Sequence, residues 1–350
     1  MVRKRAISQI SNRALVSRGG VFLAAQRVRV LHCGVRVRRV HEEPVSPVQL
    51  RPLFSPFPYP SLVITHKNPS GSTRKVTSDS YQKKEKCTKK EEKEEICAAE
   101  EHRDKFNPDA YLESFYKSAS EDTAMQVVLF FLPGILYRLP SELDSVLDLG
   151  AGPTVYLPIA LRDRAKSIYT SDYAPANREK LQSWIENRST FNWENVCKWI
   201  GNIEATMESP QEMQEKARRL LKAVLEVDVH AAPVVRGVHW KVDGCGEIPR
   251  KFQVVSTVFC LEYSCETLQG YFQAVKGACS LIEDGGYLIQ GGVLDATTYN
   301  FDGKTFRCHC LKQNHIIEAL KKNGMASAAS DGYKFITHDD IFLLISKKLK

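Results

Sequence analysis

From residue 145 to the end of the chain, short apolar stretches typical of strands alternate with longer stretches typical of helices. The strand-like stretches include SVLDLG, SIYTSDY, VLEVDV, FQVVSTVFCL, GYLIQGGVL and IFLLISKKL. Strands joined by helical crossovers run parallel in one sheet, which then carries helices on both faces. The alternation therefore predicts an α/β fold, and a ligand is expected where the strands end.

The composition argues against contact with a membrane or with nucleic acid. No run of apolar residues is long enough for a membrane-spanning helix. Residues 1–40 contain ten Lys and Arg and no acid, so the rest of the chain is close to neutral despite the total charge of +8. A domain without a basic face is a poor partner for nucleic acid. The ten cysteines include no CxxC pair with zinc spacing, so we predict no metal site.

Residues 1–100 differ from the rest of the chain. An Arg-rich start is followed by the proline stretch RPLFSPFPYP and by the charged run KKEKCTKKEEKEE. Such a segment lacks the periodic apolar residues of a core, so we predict that it is disordered and that the folded domain spans residues 101–350. The start is open to four interpretations: a mitochondrial transit segment, a basic tail, a surface-binding arm, or an upstream exon wrongly joined to the chain. We expect a cytoplasmic protein, with mitochondrial localisation as the alternative.

The stretch FNPDAYLESFYKSAS predicts the first helix of the domain. Asn107 is suited to cap its N-terminus, and Pro108 to occupy its first position. Tyr111 and Phe115 then share one helix face.

Three strand ends carry the strongest functional signal. Gly150 and Gly152 follow the first strand, where a bare backbone lets a ligand approach closely. A third glycine is missing, and Pro153 removes an N–H that a phosphate would use. Asp172 ends the second strand and suits a ribose diol, while Asp228 ends VLEVDV and can accept from an adenine amine. Together they indicate a site for an adenosine without phosphates, and S-adenosylmethionine is the commonest such ligand.

Four stretches resemble one family. FNPDAYLESFY, LDLGAGPTVY, TSDYAPANREKLQSWI and FCLEYSC are similar to motifs of the small-molecule methyltransferases that include nicotinamide, phenylethanolamine and indolethylamine N-methyltransferases and thioether S-methyltransferase. The resemblance covers the chain from about Phe106 onward. It implies a class I, Rossmann-like fold with a mostly parallel seven-stranded sheet and an N-terminal helical lid.

The resemblance also implies roles for individual residues. An S-adenosylmethionine site would be formed by Tyr111, Tyr116, Gly150, Gly152, Tyr156, Asp172, Asn177, Asp228, Val229 and Val258. Tyr299 would line the substrate pocket. Glu262 and Asp295 would be the catalytic acids, because a carboxylate near an attacking amine orients it and accepts its proton.

Two departures from the family pattern bear on the substrate. The nicotinamide enzyme has an Asp where this chain has Gly292, and a hydroxyl residue where it has Cys308. We therefore predict N-methylation of a small, phenylethanolamine-like amine rather than of nicotinamide. Methylation of a small thioether and cofactor binding without turnover remain alternatives, and we expect a monomer. The stretch between KKNG and THDDIFLL is shorter than in the family, which predicts an altered sheet edge.

Overall fold

The computed structural model describes residues 95–117 and 123–350. Its strands are β1 Glu95–Cys97, β2 Val146–Leu149, β3 Ile168–Asp172, β4 Leu221–Val227, β5 Val235–Lys241, β6 Phe252–Val258, β7 Ile282–Val293, β8 Thr298–Phe301, β9 Lys304–Arg307, β10 Lys334–His338 and β11 Ile341–Lys347. Its helices are α1 His102–Lys105, α2 Pro108–Phe115, α3 Thr123–Leu136, α4 Tyr156–Ala160, α5 Pro175–Ile185, α6 Glu194–Glu204, α7 Pro210–Leu220, α8 Leu268–Ser280 and α9 Gln313–Lys322. Short 3₁₀ turns lie at Ala99–Glu101 and Ala329–Asp331.

Eight strands form the main sheet, in the spatial order β10-β11-β7-β6-β2-β3-β4-β5. The five central strands from β7 to β4 are parallel, whereas β5, β11 and β10 pair antiparallel with their neighbours. The predicted class I α/β fold is confirmed. Chain order reverses between β2 and β6, so a crevice opens at the carboxyl ends of these two strands, which is where such sheets bind ligands.

The central strands form because their residues are apolar on both faces. All four residues of β2 are buried, and so are the first six of β11. Helices cover each face, which gives two large apolar clusters on opposite sides of the sheet. Continuous apolar runs of this kind are typical of strands covered on both sides.

The main sheet has eight strands instead of the expected seven. Its two edge strands, β5 and β10, are more polar than the central strands, so the sequence did not indicate them. β5 pairs with β4 in a hairpin, and its sequence VRGVHWK is only partly buried. β10, with sequence KFITH, forms the other edge inside the shortened stretch before β11. Neither sequence has the apolar continuity of a central strand.

A second, three-stranded sheet, in the order β1-β9-β8, joins the start of the described chain to the hairpin formed by β8 and β9. Cys97 of β1 is fully buried against Phe301 and Phe306. Residues 95–100 therefore belong to the folded domain, which corrects the prediction that disorder extends to residue 100. Residues 1–94, with the predicted targeting or tail segment, lie outside the described residues, and their separation from the domain stays a prediction.

The helix predicted in FNPDAYLESFYKSAS is confirmed as α2, but the short helix α1 precedes it in the domain. The Asn107 side chain accepts a hydrogen bond from the backbone N–H of Ala110 at 3.2 Å, and Pro108 occupies the first helical position. Among the helices of the described residues, none combines the length and apolar character needed to cross a membrane.

We expect a chain starting at residue 94 to unfold as cooperatively as the full chain, and a chain starting at residue 107 to be less stable. The shorter chain lacks β1 and α1, which cover the fully buried ring of Phe306. Exposing a side chain of that size costs about 1.5–3 kcal/mol. Urea unfolding followed by circular dichroism measures this difference. Equal unfolding midpoints for the two truncated chains would show that β1 contributes nothing to the domain.

Candidate active site

The turn after β2 requires glycine. Gly150 and Gly152 have φ values of +70° and +60°, in the left-handed region. A Cβ on Gly150 would lie 2.2 Å from Sγ of Cys260, which follows β6. The ends of β2 and β6 therefore approach each other as closely as the backbone allows, at the point where the crevice opens.

Asp172, at the end of β3, connects this turn to the start of α5. Its Oδ2 accepts a hydrogen bond from the backbone N–H of Gly152 at 2.8 Å. Its Oδ1 accepts from the backbone N–H of Ala174 at 2.8 Å and from Nδ2 of Asn177 at 3.0 Å. Burial raises the pKa of Asp172, and these hydrogen bonds act in the opposite direction. Since a carboxylate offers about four acceptor sites, three are filled and one, on Oδ2, is open.

Asn177 supplies a second acceptor. Its Oδ1 is buried and has no hydrogen-bond partner in the part of the chain described. A buried polar atom without a partner costs stability, so it is expected to pair when a ligand binds. We therefore expect the two ribose hydroxyls to be shared between one acceptor on Asp172 and one on Asn177, whereas the sequence predicted two bonds to Asp172. These ribose contacts stay a prediction.

Asp148, inside β2, is a buried acid that the sequence analysis did not select. It is 5% exposed. Burial, reinforced by the nearby Asp172 carboxylate, raises the pKa of Asp148 to about 8. With a pKa of about 8, Asp148 is therefore mainly protonated at neutral pH. A lone acid in an otherwise apolar strand was the available signal.

The predicted lid residues lie in an aromatic layer. Tyr116 follows α2 and stacks on Tyr156, with ring centroids 6.1 Å apart, and both rings are buried. Tyr111 contacts Tyr116 at 6.0 Å and Phe301 of β8 at 5.6 Å. The layer thus joins the first helix, the helix after the glycine turn and the small sheet. Direct contact of these tyrosines with the cofactor stays a prediction.

The residues predicted to hold the adenine lie where β4 and β6 end. Asp228 is half-buried, and its Oδ1 accepts from the backbone N–H of His230 at 2.9 Å. It lines an open cavity of about 460 Å³ together with Arg103 and Tyr173. Val229 is buried, and Val258 is half-buried at the end of β6. Asp228 therefore borders open space that a ligand can enter.

Glu262 lies just after β6 and is 1% exposed. Its Oε1 accepts from the backbone N–H of Val293 at 3.2 Å, whereas its Oε2 has no partner among the described residues. Burial raises the pKa of Glu262 to about 8, against these backbone hydrogen bonds, so the group is protonated at neutral pH. A Cβ on Gly292 would lie 2.1 Å from Oε1, so the Glu262 carboxyl fills the space beside that glycine.

Asp295, the second predicted catalytic acid, is exposed in the turn between β7 and β8 and has a φ of +57°. Nothing in the described parts of the chain forms a hydrogen bond or ion pair with its carboxylate. Asp295 follows Val293 by two residues, and the Val293 N–H donates to Oε1 of Glu262. A catalytic role for Asp295 stays a prediction.

The backbone conformation of Phe259 and the contacts of Tyr299 were not predicted from the sequence. Phe259 directly follows β6 and has a φ of +53°, a conformation rare for a bulky residue. Backbone strain of this kind is common at functional sites, and the sequence does not indicate where it occurs. Tyr299, the predicted substrate residue, packs on Tyr263 at 4.3 Å, and its hydroxyl lies 2.5 Å from a ring nitrogen of His102.

The fold, the glycine turn and the strand-end carboxylates define a class I S-adenosylmethionine-dependent methyltransferase. Residues 94–349 match the NNMT/PNMT/TEMT family, and the chain belongs to it. The protein is an S-adenosylmethionine-dependent N-methyltransferase, as the resemblance implied.

Relatives with different substrates in their names are similar to this chain. A nicotinamide N-methyltransferase of Caenorhabditis elegans is 73% identical over 257 residues, which are 73% of this chain and 94% of that protein. A nicotinamide N-methyltransferase of Sus scrofa is 28% identical over 70% of this chain and 93% of its own length. A phenylethanolamine N-methyltransferase of Macaca mulatta is 28% identical over 51% of this chain and 62% of its own length.

We expect Asp172→Ala to reduce the affinity for S-adenosylmethionine by tenfold or more, since a hydrogen bond to a charged group contributes about 1.5–3 kcal/mol. Asn177→Leu removes a neutral acceptor and is expected to have a smaller effect. Isothermal titration calorimetry measures both affinities, and Asp172→Asn tests the charge alone. Unchanged affinity in Asp172→Ala would place the ribose elsewhere.

We expect Glu262→Gln to stabilise the fold more at pH 8 than at about pH 5. The folded wild type keeps the Glu262 proton up to about pH 8, whereas the unfolded chain loses it near the ordinary pKa of 4.5. Between these values folding takes up a proton, so this residue lowers stability as pH rises. Urea unfolding at both pH values measures the difference. Asp148→Asn is the matched variant, because burial also raises the pKa of Asp148 to about 8.

Proposed function

We propose that the enzyme transfers a methyl group from S-adenosylmethionine to the pyridine nitrogen of nicotinamide. The name of the 73% identical relative supports this substrate. It does not support the preference for a phenylethanolamine-like amine, which depended on the departures at Gly292 and Cys308.

The contact between Glu262 and Gly292 carries the proposal. The expectation against nicotinamide relied on a missing Asp side chain at position 292. The Glu262 carboxyl occupies the space that such a side chain would fill, since its Oε1 lies 2.1 Å from the Cβ position of residue 292. A carboxyl group from the loop after β6 therefore replaces one from β7, and the absence of Asp at 292 does not exclude a carboxamide substrate.

The protonation of Glu262 suits a neutral amide. With its pKa raised to about 8, Glu262 carries an O–H at neutral pH, and its Oε2 has no partner within the described residues. This O–H can donate to the carbonyl oxygen of a carboxamide. A pyridine nitrogen has a free lone pair and no proton to lose, so no general base is required.

The rate enhancement then comes from positioning. When bound, S-adenosylmethionine supplies a methyl group on a positively charged sulfur. The protein has to hold the acceptor lone pair in line with the S–CH₃ bond, at about 3 Å, and to keep water out. The aromatic layer of Tyr111, Tyr116 and Tyr156 and the buried carboxyls around the crevice provide an environment of this kind.

A small amine is the second candidate, because Oε2 of Glu262 could instead ionise and pair with an ammonium group. Isotope transfer from labelled S-adenosylmethionine to nicotinamide, phenylethanolamine and a dialkyl thioether compares the acceptors directly. We expect transfer to nicotinamide. Transfer to the amine alone would overturn the proposed substrate, and measurable cofactor binding without any transfer would overturn the proposed activity.

Glu262→Gln separates the two candidates by mechanism. Gln retains an N–H donor for a carbonyl. Turnover of nicotinamide by Glu262→Gln should therefore stay within about threefold of the wild-type value, a change smaller than the loss of one neutral hydrogen bond. It cannot ionise, so amine turnover should fall by much more. In the wild type, kcat/KM for nicotinamide should fall as pH rises through about 8, where Glu262 loses its O–H, whereas kcat/KM for an amine should rise. A nicotinamide profile that is the same for wild type and Glu262→Gln would contradict this role.

A further inference from the structure

A hydrogen-bonded chain links the start of the described sequence to the predicted substrate residue. His102, the first residue of α1, has its Nδ1 2.6 Å from the carbonyl oxygen of Ala99. Its Nε2 lies 2.5 Å from Oη of Tyr299 on β8. The His102 ring packs on Phe306 at 4.4 Å and on Tyr299 at 5.7 Å, so the ring is held between the two partners.

These partners fix which ring nitrogen carries the proton. A carbonyl oxygen only accepts hydrogen bonds, so Nδ1 must be the N–H donor to Ala99. Burial lowers the pKa of His102, which keeps the ring neutral at neutral pH. A neutral imidazole has one N–H, so Nε2 carries a lone pair and accepts.

The orientation of the Tyr299 hydroxyl follows. Since Nε2 of His102 accepts, the Tyr299 O–H must donate to it. The phenolic oxygen keeps its lone pairs, and no other hydrogen bond to it is found over residues 95–117 and 123–350. Tyr299 packs on Tyr263, which follows Glu262. Burial raises the pKa of Tyr299, and the Asp172 and Glu262 carboxyls raise it further, so this hydroxyl lies within electrostatic range of both crevice acids.

We propose that His102 is a positioning residue that makes Tyr299 a hydrogen-bond acceptor only, so that the enzyme selects methyl acceptors whose ring carries a side group with an N–H donor. The inference rests on the proposed function and adds a selectivity to it. A carboxamide presents an N–H to Tyr299 and a carbonyl to the Glu262 O–H. An ester of the same shape lacks the donor and loses one of these contacts.

The test compares nicotinamide with methyl nicotinate, which keeps the pyridine ring and the carbonyl but has no N–H. Tyr299→Phe removes the acceptor, and His102→Phe keeps a ring but frees the Tyr299 O–H to turn and donate. In both variants the preference for nicotinamide, measured as the ratio of the two kcat/KM values, should fall by about three- to tenfold, the value of one neutral hydrogen bond. His102→Phe should add nothing in the Tyr299→Phe background. His338→Phe, at an exposed histidine of β10, is the matched control and should leave the ratio unchanged.

His102→Gln is the conservative variant, because its amide can still donate to Ala99 and accept from Tyr299. It should keep the wild-type ratio, and it keeps the proposal testable if His102→Phe does not fold. An unchanged ratio in Tyr299→Phe, or an equal loss with both substrates in His102→Phe, would overturn the proposal.

A second measurement does not depend on turnover. Nitrogen NMR of the full chain with labelled histidine reports which ring nitrogen of His102 is protonated. We expect a protonated Nδ1 and an unprotonated Nε2, with the assignment made by loss of the signal in His102→Gln. A protonated Nε2 would overturn this inference and leave the proposed function intact. If the wild type methylates neither compound, the proposed function fails while the NMR result still decides the hydrogen-bond direction.

Discussion

The geometry of the site depends on the hydrogen bonds that the Asp172 carboxylate accepts. It accepts hydrogen bonds from the glycine turn after β2 and from two residues at the start of α5. Because it spans two neighbouring strand ends, it sets the shape of the turn and the position of Asn177 before any ligand binds. Hydrogen bonds to a carboxylate are stronger than those between neutral groups, and one acceptor site on Oδ2 stays open. The same group thus holds two strand ends together and is the group that we expect to bind the cofactor.

Burial gives the other acids of the crevice a different character. Asp148 and Glu262 have few or no partners to stabilise a charge, so both retain protons at neutral pH. Protonated acids keep this part of the crevice close to uncharged, which suits the neutral acceptor that we propose beside a cationic methyl donor. Removal of water also strengthens each hydrogen bond that remains.

The small sheet gives the N-terminal part of the domain a role in the site. β1 pairs with β9, and the Glu95 and Glu101 carboxylates both contact Lys105, so residues 95–105 are fixed against the rest of the domain. Glu266, just beyond Glu262, accepts from the backbone N–H of Ala99 at 3.1 Å and pairs with Arg307. His102 therefore lies in a segment that is fixed before it, at β1 and Ala99, and after it, at Lys105. The substrate side of the crevice depends on residues far from it in sequence.

The sequence by itself determined the parallel sheet, the glycine turn and the cofactor acids at strand ends, because each depends on local patterns: apolar runs, a required left-handed turn, and an acid at the end of a run. It did not determine the edge strands β5 and β10, because their polar residues interrupt the regular pattern of apolar residues that indicates a strand. Only the tertiary structure decided that Glu262 fills the space beside Gly292, that Asp295 is exposed, and that His102 meets Tyr299. These features depend on contacts between residues far apart in the chain. The spacing of residues along one strand or helix therefore determines neither the burial of a side chain nor the direction of its hydrogen bonds.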